Sequence, residues 1–88
     1  MNNAEIRRAV EAELCRAKQK WPEYYDDIIH AVSVINEESG EAVQAALDMT
    51  YDNGDIEKVK AEVIQTAAMC FRFLENIENI TTYQHKTK

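Results

Sequence analysis

One proline and two glycines in 88 residues leave this chain few means of turning. Sandwiches and barrels need many short strands separated by turns, so helices are the expected structure. From about Ala4 to Lys20, the residues Ile6, Ala9, Val10, Leu14 and Ala17 recur at helical period with charged residues between them. Trp21 and Pro22 interrupt the pattern, because proline disfavours helical geometry in the residue before it yet suits the first turn of a new helix. Glu23, Asp26 and Asp27 favour the positive end of a helix dipole, so a second helix is expected to start near Pro22. It should reach Asp48 or Thr50, with Ile28, Ala31, Val32, Ile35, Ala42, Ala45, Ala46 and Met49 on its apolar side. The run Tyr51, Asp52, Asn53, Gly54, Asp55 has turn chemistry, and Asp55 can cap a third helix reaching about Ile80. The apolar side of that helix reads Ile56, Val59, Val63, Ala67, Cys70, Leu74 and Ile77. The residues from Thr81 to Lys88 are polar and without period, and are expected to fray.

The chain therefore reads as a single all-α domain over residues 1–80, built as an antiparallel helical hairpin plus an N-terminal helix. That arrangement gives a thin core, and the second and third helices carry apolar residues on more than one stripe. Completion of a helical bundle by oligomerisation is the expected remedy. No apolar run approaches the roughly 18 residues of a membrane span. Glu5, Glu11 and Glu13 stand where a signal peptide would be basic and then apolar, so a cytoplasmic protein with no membrane partner is expected. Cys15 and Cys70 are far apart and, with only His30 and His85 besides, give no zinc spacing. They read as small thiols in a reducing compartment.

Acidic residues number 16 against 10 basic, for a net charge of -6 and a pI of about 4.8. Duplex nucleic acid would be repelled by such a chain. A nucleotide can still bind where a divalent cation stands between carboxylates and phosphates. The place where carboxylates converge is thus the informative one. Glu38 lies on the helical line Ala31, Ile35, Glu38, Ala42, Ala45, and Glu41 follows one turn later. Glu62 lies on the line Val59, Glu62, Thr66, Met69, Phe73. Antiparallel pairing about the Asp52 to Asp55 turn brings Glu41 level with Glu62 and Gln65, so three carboxylates meet in one cleft. Anions sharing a partly buried site repel and desolvate at a cost of several kcal/mol, which a hard divalent ion with oxygen ligands, Mg²⁺ foremost, would offset. An acidic helical chain also yields such pairs by chance as solvated surface charge. Glu75 and Glu78 read that way, as do Glu5, Glu11, Glu13, Glu23 and Glu57. Trp21, Tyr24 and Tyr25 can either stack on a base or pin two helices together, and His30 can either reach a ligand or act as an ordinary hydrogen-bonding residue. Met69, Phe71 and Phe73 read as core or oligomer contacts.

The run Glu37, Glu38, Ser39, Gly40, Glu41, followed after twenty residues by Glu62, Val63, Ile64, Gln65, resembles the EExxE…ExxD signature of the MazG-like all-α nucleoside triphosphate pyrophosphatases. The flanking stretches Ile29 to Asn36 and Ala67 to Leu74 resemble its compact members, and the likeness spans about Trp21 to Ile80. It implies Mg²⁺, or Mn²⁺ in its place, held by Glu38, Glu41 and Glu62, with Glu37 as general base. It implies hydrolysis of a (deoxy)nucleoside triphosphate to the monophosphate and pyrophosphate, in housecleaning of the nucleotide pool. Lys58 or Arg72 would neutralise the outgoing pyrophosphate, and the assembly would be a homodimer or homotetramer. Gln65 stands where the family has Asp. An amide oxygen still coordinates Mg²⁺, but it carries no charge and takes no proton, so metal affinity and water activation should both fall. The alternative implied by that departure is a catalytically weakened nucleotide- or metal-binding protein, or a helical interaction module.

Overall fold

The computed structural model describes residues 1–80, and the polar tail from Thr81 to Lys88 lies outside the described residues. Those residues are all-helical, without strands: α1 (Asn3–Lys20), α2 (Ile28–Tyr51) and α3 (Ile56–Asn76), followed by a short 3-10 turn (Ile77–Asn79). No helix among them is long and apolar enough to cross a membrane. Each start is set by a side chain that satisfies backbone N–H groups left free at a helix end. Asn2 Oδ1 accepts from the Glu5 amide at 2.9 Å while Glu5 Oε1 accepts from the Asn2 amide at 3.1 Å, a reciprocal capping box. Asp27 accepts from the Ile29 amide and Asp55 from the Glu57 amide, at 3.1 and 3.0 Å.

Helix α2 stops where Asn53 takes a left-handed backbone, φ 59°, and the Gly54 amide donates to the Asp48 carbonyl at 2.9 Å. Gly54 approaches that helix end so closely that a Cβ would meet the Met49 amide nitrogen at 2.7 Å. The four-residue turn folds α3 back along α2 as a hairpin, and the other flank of α3 receives α1. Helix α3 is thus the central element.

Two expected boundaries move. Helix α2 begins at Ile28 rather than near Pro22, because residues 21–27 are drawn into a non-helical segment by Arg72 of α3. The Arg72 guanidinium, 5% exposed, donates to the Ala17 carbonyl in α1 and to the carbonyls of Trp21 and Glu23, the last two of which a helix starting at Pro22 would turn away. Helix α3 ends at Asn76, whose side-chain amide donates to the Arg72 carbonyl at 2.8 Å, and the tighter 3-10 turn then delivers Ile80 into the interior, 2% exposed.

The packed face of α3 also differs from the expected stripe. Ile56, Val63 and Leu74 are exposed, whereas Glu62, Ala68 and Arg72 are buried and Val59, Thr66, Met69 and Phe73 are half-buried. Small residues make up the apolar centre, with Ala17, Ala31, Ala45 and Ala68 buried and, among the described residues, only Val10 and Ile80 as larger buried apolar side chains. Such a centre brings helix axes close but removes little apolar surface from water. Ile29, Val32, Val43 and Leu47 on α2 remain exposed in turn. The radius of gyration, 15.0 Å, exceeds the roughly 12 Å of a compact domain of this length.

Candidate metal centre

Three carboxylates converge at the middle of the hairpin. One oxygen each of Glu38, Glu41 and Glu62 lies within 4.8 Å of the others. Glu38 and Glu41 stand one turn apart on α2, and the antiparallel return of α3 sets Glu62 opposite them. The three differ in burial. Glu62 is 5% exposed, Glu38 is half-buried and Glu41 is open to solvent. Oε2 of Glu38 and Oε2 of Glu62 are both buried and have no hydrogen-bond partner in the protein. Buried carboxylate oxygens are ordinarily satisfied, and two orphaned ones on residues of one acidic cluster fit a hard cation that takes oxygen ligands. Burial first, and then the charges of Glu41, Glu62, Glu13 and Glu37, raise the Glu38 carboxyl above its ordinary range.

Lys58 caps this cluster from α3. Its Nζ lies 2.7 Å from Glu62 Oε1, and the side chain is 66% exposed. The Glu62 carboxylate raises the Lys58 ammonium above its ordinary value. Lys58 thus sits at the cluster, in a shallow groove with Glu41, Gln44, Ala45 and Asp48, with a flexible exposed stem. Gln65 is half-buried one turn along α3 from Glu62. Glu37 is exposed beside Glu38 and lines a neighbouring cleft with it.

Arg72 does not take the place expected of it. Its guanidinium is committed to three backbone carbonyls at the end of α1 and in the following segment, and lies 5.3 Å from the Tyr24 ring centre. It fastens the segment after α1 to α3 and is not a free counter-charge for pyrophosphate. Burial raises the Tyr24 phenol, with Arg72 acting in the opposite direction.

Glu13 is likewise drawn in from solvent. It was expected to be solvated, yet its side chain is 16% exposed, held by Arg16 through contacts of 3.0 and 2.6 Å. Its charge reaches Glu38, as does that of Arg16, so α1 contributes an acid and a base to the rim of the cluster. Glu13 flanks the apolar line Val10, Leu14, Ala17, which was the signal that it would be drawn in. Glu75 remains outside the cluster, exposed and paired with Lys18 of α1 at 2.9 Å. Met69 and Phe73 are half-buried, while Phe71 is 57% exposed.

No known protein-family model matches this chain, and neither the characterised proteins nor the solved structures offer a match to it.

Proposed function

We propose that this chain is a Mg²⁺-dependent nucleoside triphosphate pyrophosphohydrolase of MazG-like type, converting a (deoxy)nucleoside triphosphate and water to the monophosphate and pyrophosphate. One observation carries the reading: three carboxylates from two helices within 4.8 Å, two of them with buried, unpartnered oxygens. The order of Glu37, Glu38, Glu41 and Glu62 along the chain, with its likeness to the EExxE…ExxD signature, supports the choice of substrate. Mg²⁺ in this site, or Mn²⁺ in its place, would screen the phosphate charges and polarise phosphoryl oxygens.

The chain's own residues supply the rest. Glu38, Glu41 and Glu62 would hold the cation. Glu37, exposed at the edge of the cluster, takes the proton from a water whose oxygen forms a bond to the α-phosphorus. The bond from that phosphorus to the α,β-bridging oxygen breaks, and the electron pair leaves with pyrophosphate. Lys58, whose stem is exposed, would turn its ammonium from Glu62 toward the leaving phosphates. The exposed apolar residues of α2 and α3 support assembly of two or four copies, which would complete the bundle. The setting is then cytoplasmic, where nucleotide pools require surveillance.

A second reading has its own support. The Lys58 to Glu62 pair of 2.7 Å already neutralises part of the cluster without a metal, and Gln65 lacks the charge of the family's Asp. A weakened nucleotide- or metal-binding relative, or a helical interaction module, would show both features. Incubation with a panel of canonical and modified triphosphates and Mg²⁺ separates the two readings. Pyrophosphate and monophosphate support the enzyme, whereas absence of turnover at high protein concentration with Mg²⁺ and Mn²⁺ favours the second.

A further inference from the structure

Among the described residues that line the groove of about 290 Å³ beside the cluster, Lys58 is the one basic side chain, and its polar neighbours are Glu41, Gln44, Asp48 and Glu62. Asp48 accepts from the Gln44 side-chain amide at 2.9 Å, whereas Lys58 turns to the cluster and meets Glu62 Oε1 at 2.7 Å. The pair is lopsided. The Glu62 side chain is 6% exposed and that of Lys58 66%, so an ammonium on a solvated stem reaches in to a carboxylate that the fold holds fixed. The charges do not balance either, since one ammonium faces three carboxylates and Oε2 of Glu38 and of Glu62 stay without partners. A divalent cation taking those oxygens would draw on the same Glu62 carboxylate as Lys58, and two cations at such range repel.

We propose that Lys58 is a built-in counter-ion of the cluster, which holds a bare divalent cation to weak binding and gives up Glu62 when a polyphosphate arrives with the cation. The first half rests on the cluster geometry alone. The second rests on the pyrophosphohydrolase reading and deepens it, naming the metal–polyphosphate complex rather than the free metal as the species the site prefers. Phosphate oxygens offer the ammonium a charged partner in place of Glu62, and its exposed stem lets it swing between the two. The acids of the groove repel a polyphosphate that carries no cation, so neither component suits the site by itself. Removal of the Lys58 charge should therefore shift the two affinities in opposite directions.

Lys58→Met keeps an unbranched stem and a strong helix former while removing that charge. Lys60→Met is the control, because Lys60 lies two residues away on the same helix, pairs with Glu57 at 3.2 Å, and does not line the groove. Intact wild type, Lys58→Met, Lys58→Arg and Lys60→Met are titrated at one ionic strength with Mn²⁺ alone, followed by water-proton relaxation, and with Mg²⁺–tripolyphosphate, followed by calorimetry. In Lys58→Met the expected result is Mn²⁺ binding about fivefold tighter and Mg²⁺–tripolyphosphate binding about tenfold weaker. Lys58→Arg and Lys60→Met should both stay near wild type. Unchanged Mn²⁺ affinity in Lys58→Met, an equal change in Lys60→Met, or shifts of the same sign for both ligands would overturn the proposal. Absence of Mn²⁺ binding in every protein would overturn it together with the metal centre. Hydrolysis of triphosphates with Mn²⁺ affinity indifferent to Lys58→Met would overturn the counter-ion while leaving the proposed reaction standing. Opposite shifts in a protein that hydrolyses nothing would support the counter-ion and remove the reaction.

Discussion

Replacing Glu62 by Gln tests whether the acidic cluster is built for a cation or for its own ion pair. Glu62 and Glu38 place oxygens within 4.8 Å of each other. Two unit charges at that distance repel by about 1 kcal/mol in water and about 3 kcal/mol at the effective dielectric of a protein surface. Against this stands the Lys58 to Glu62 pair. Because the Lys58 side chain is 66% exposed, solvent screens the pair and its contribution is the smaller of the two. Glu62→Gln keeps the shape, removes the repulsion and loses the pair, so the metal-free protein should gain about 1 kcal/mol. For a domain of this size that is a rise in Tm of about 4 to 8 °C. With Mg²⁺ at 100 times its Kd the wild type gains about 2.7 kcal/mol by mass action, and the variant should gain much less. The order of the two melting temperatures should therefore reverse between EDTA and Mg²⁺, at one fixed protein concentration. A variant that melts below wild type in EDTA, and rises equally with Mg²⁺, would show that Glu62 serves the Lys58 pair alone.

Other outcomes follow from the same geometry. Glu38 has its carboxyl raised above 4.5 in the folded state, so its charge destabilises the metal-free fold at neutral pH and the penalty is relieved as pH falls through the folded value. In thermal melts in EDTA, Glu38→Gln should be the more stable form at pH 7, and the difference should shrink as pH falls and vanish below the ordinary value of 4.5. A gap constant with pH would contradict this. Arg72→Met should cost about 3 kcal/mol in urea unfolding, because carbonyls of Trp21 and Glu23 lose a charged donor. An unchanged urea midpoint would mean that the segment after α1 holds without it. Gln65→Asp adds a carboxylate one turn from Glu62, so it should lower metal-free stability, tighten Mg²⁺ binding measured by calorimetry, and raise any pyrophosphohydrolase activity. Unchanged Mg²⁺ affinity would place Gln65 outside the site.

The helical class, the hairpin turn and the meeting of Glu38, Glu41 and Glu62 were legible because each depends on local spacing. Period, cap and turn residues set the helices, and an antiparallel return about Asn53 and Gly54 sets which residues face each other. What escaped depends on partners with no sequence signature. Arg72 binds backbone carbonyls, which every residue carries, so nothing in the residue pattern shows that it draws residues 21–27 away from helix. The same blindness applies to the start of α2, where Pro22 and Asp27 both offer acceptable helix starts and tertiary contact decides for Asp27. The burial of Glu13 is not legible in the sequence because the placement of α1 against α3 is a long-range matter. The exposed stripe Ile56, Val63, Leu74 has the period of a core face, and period alone does not say whether the chain itself or a second copy covers it.

The central claim is that the carboxylate cluster supports hydrolysis at the α-phosphorus. It is tested most directly by turnover in ¹⁸O-labelled water, with a deoxynucleoside triphosphate panel, Mg²⁺ and wild-type or Glu62→Gln protein, followed by mass analysis of both products. The expected result is one labelled oxygen in the monophosphate, unlabelled pyrophosphate, and loss of turnover in Glu62→Gln. Label in pyrophosphate, release of orthophosphate and diphosphate, or equal turnover by both proteins would contradict it.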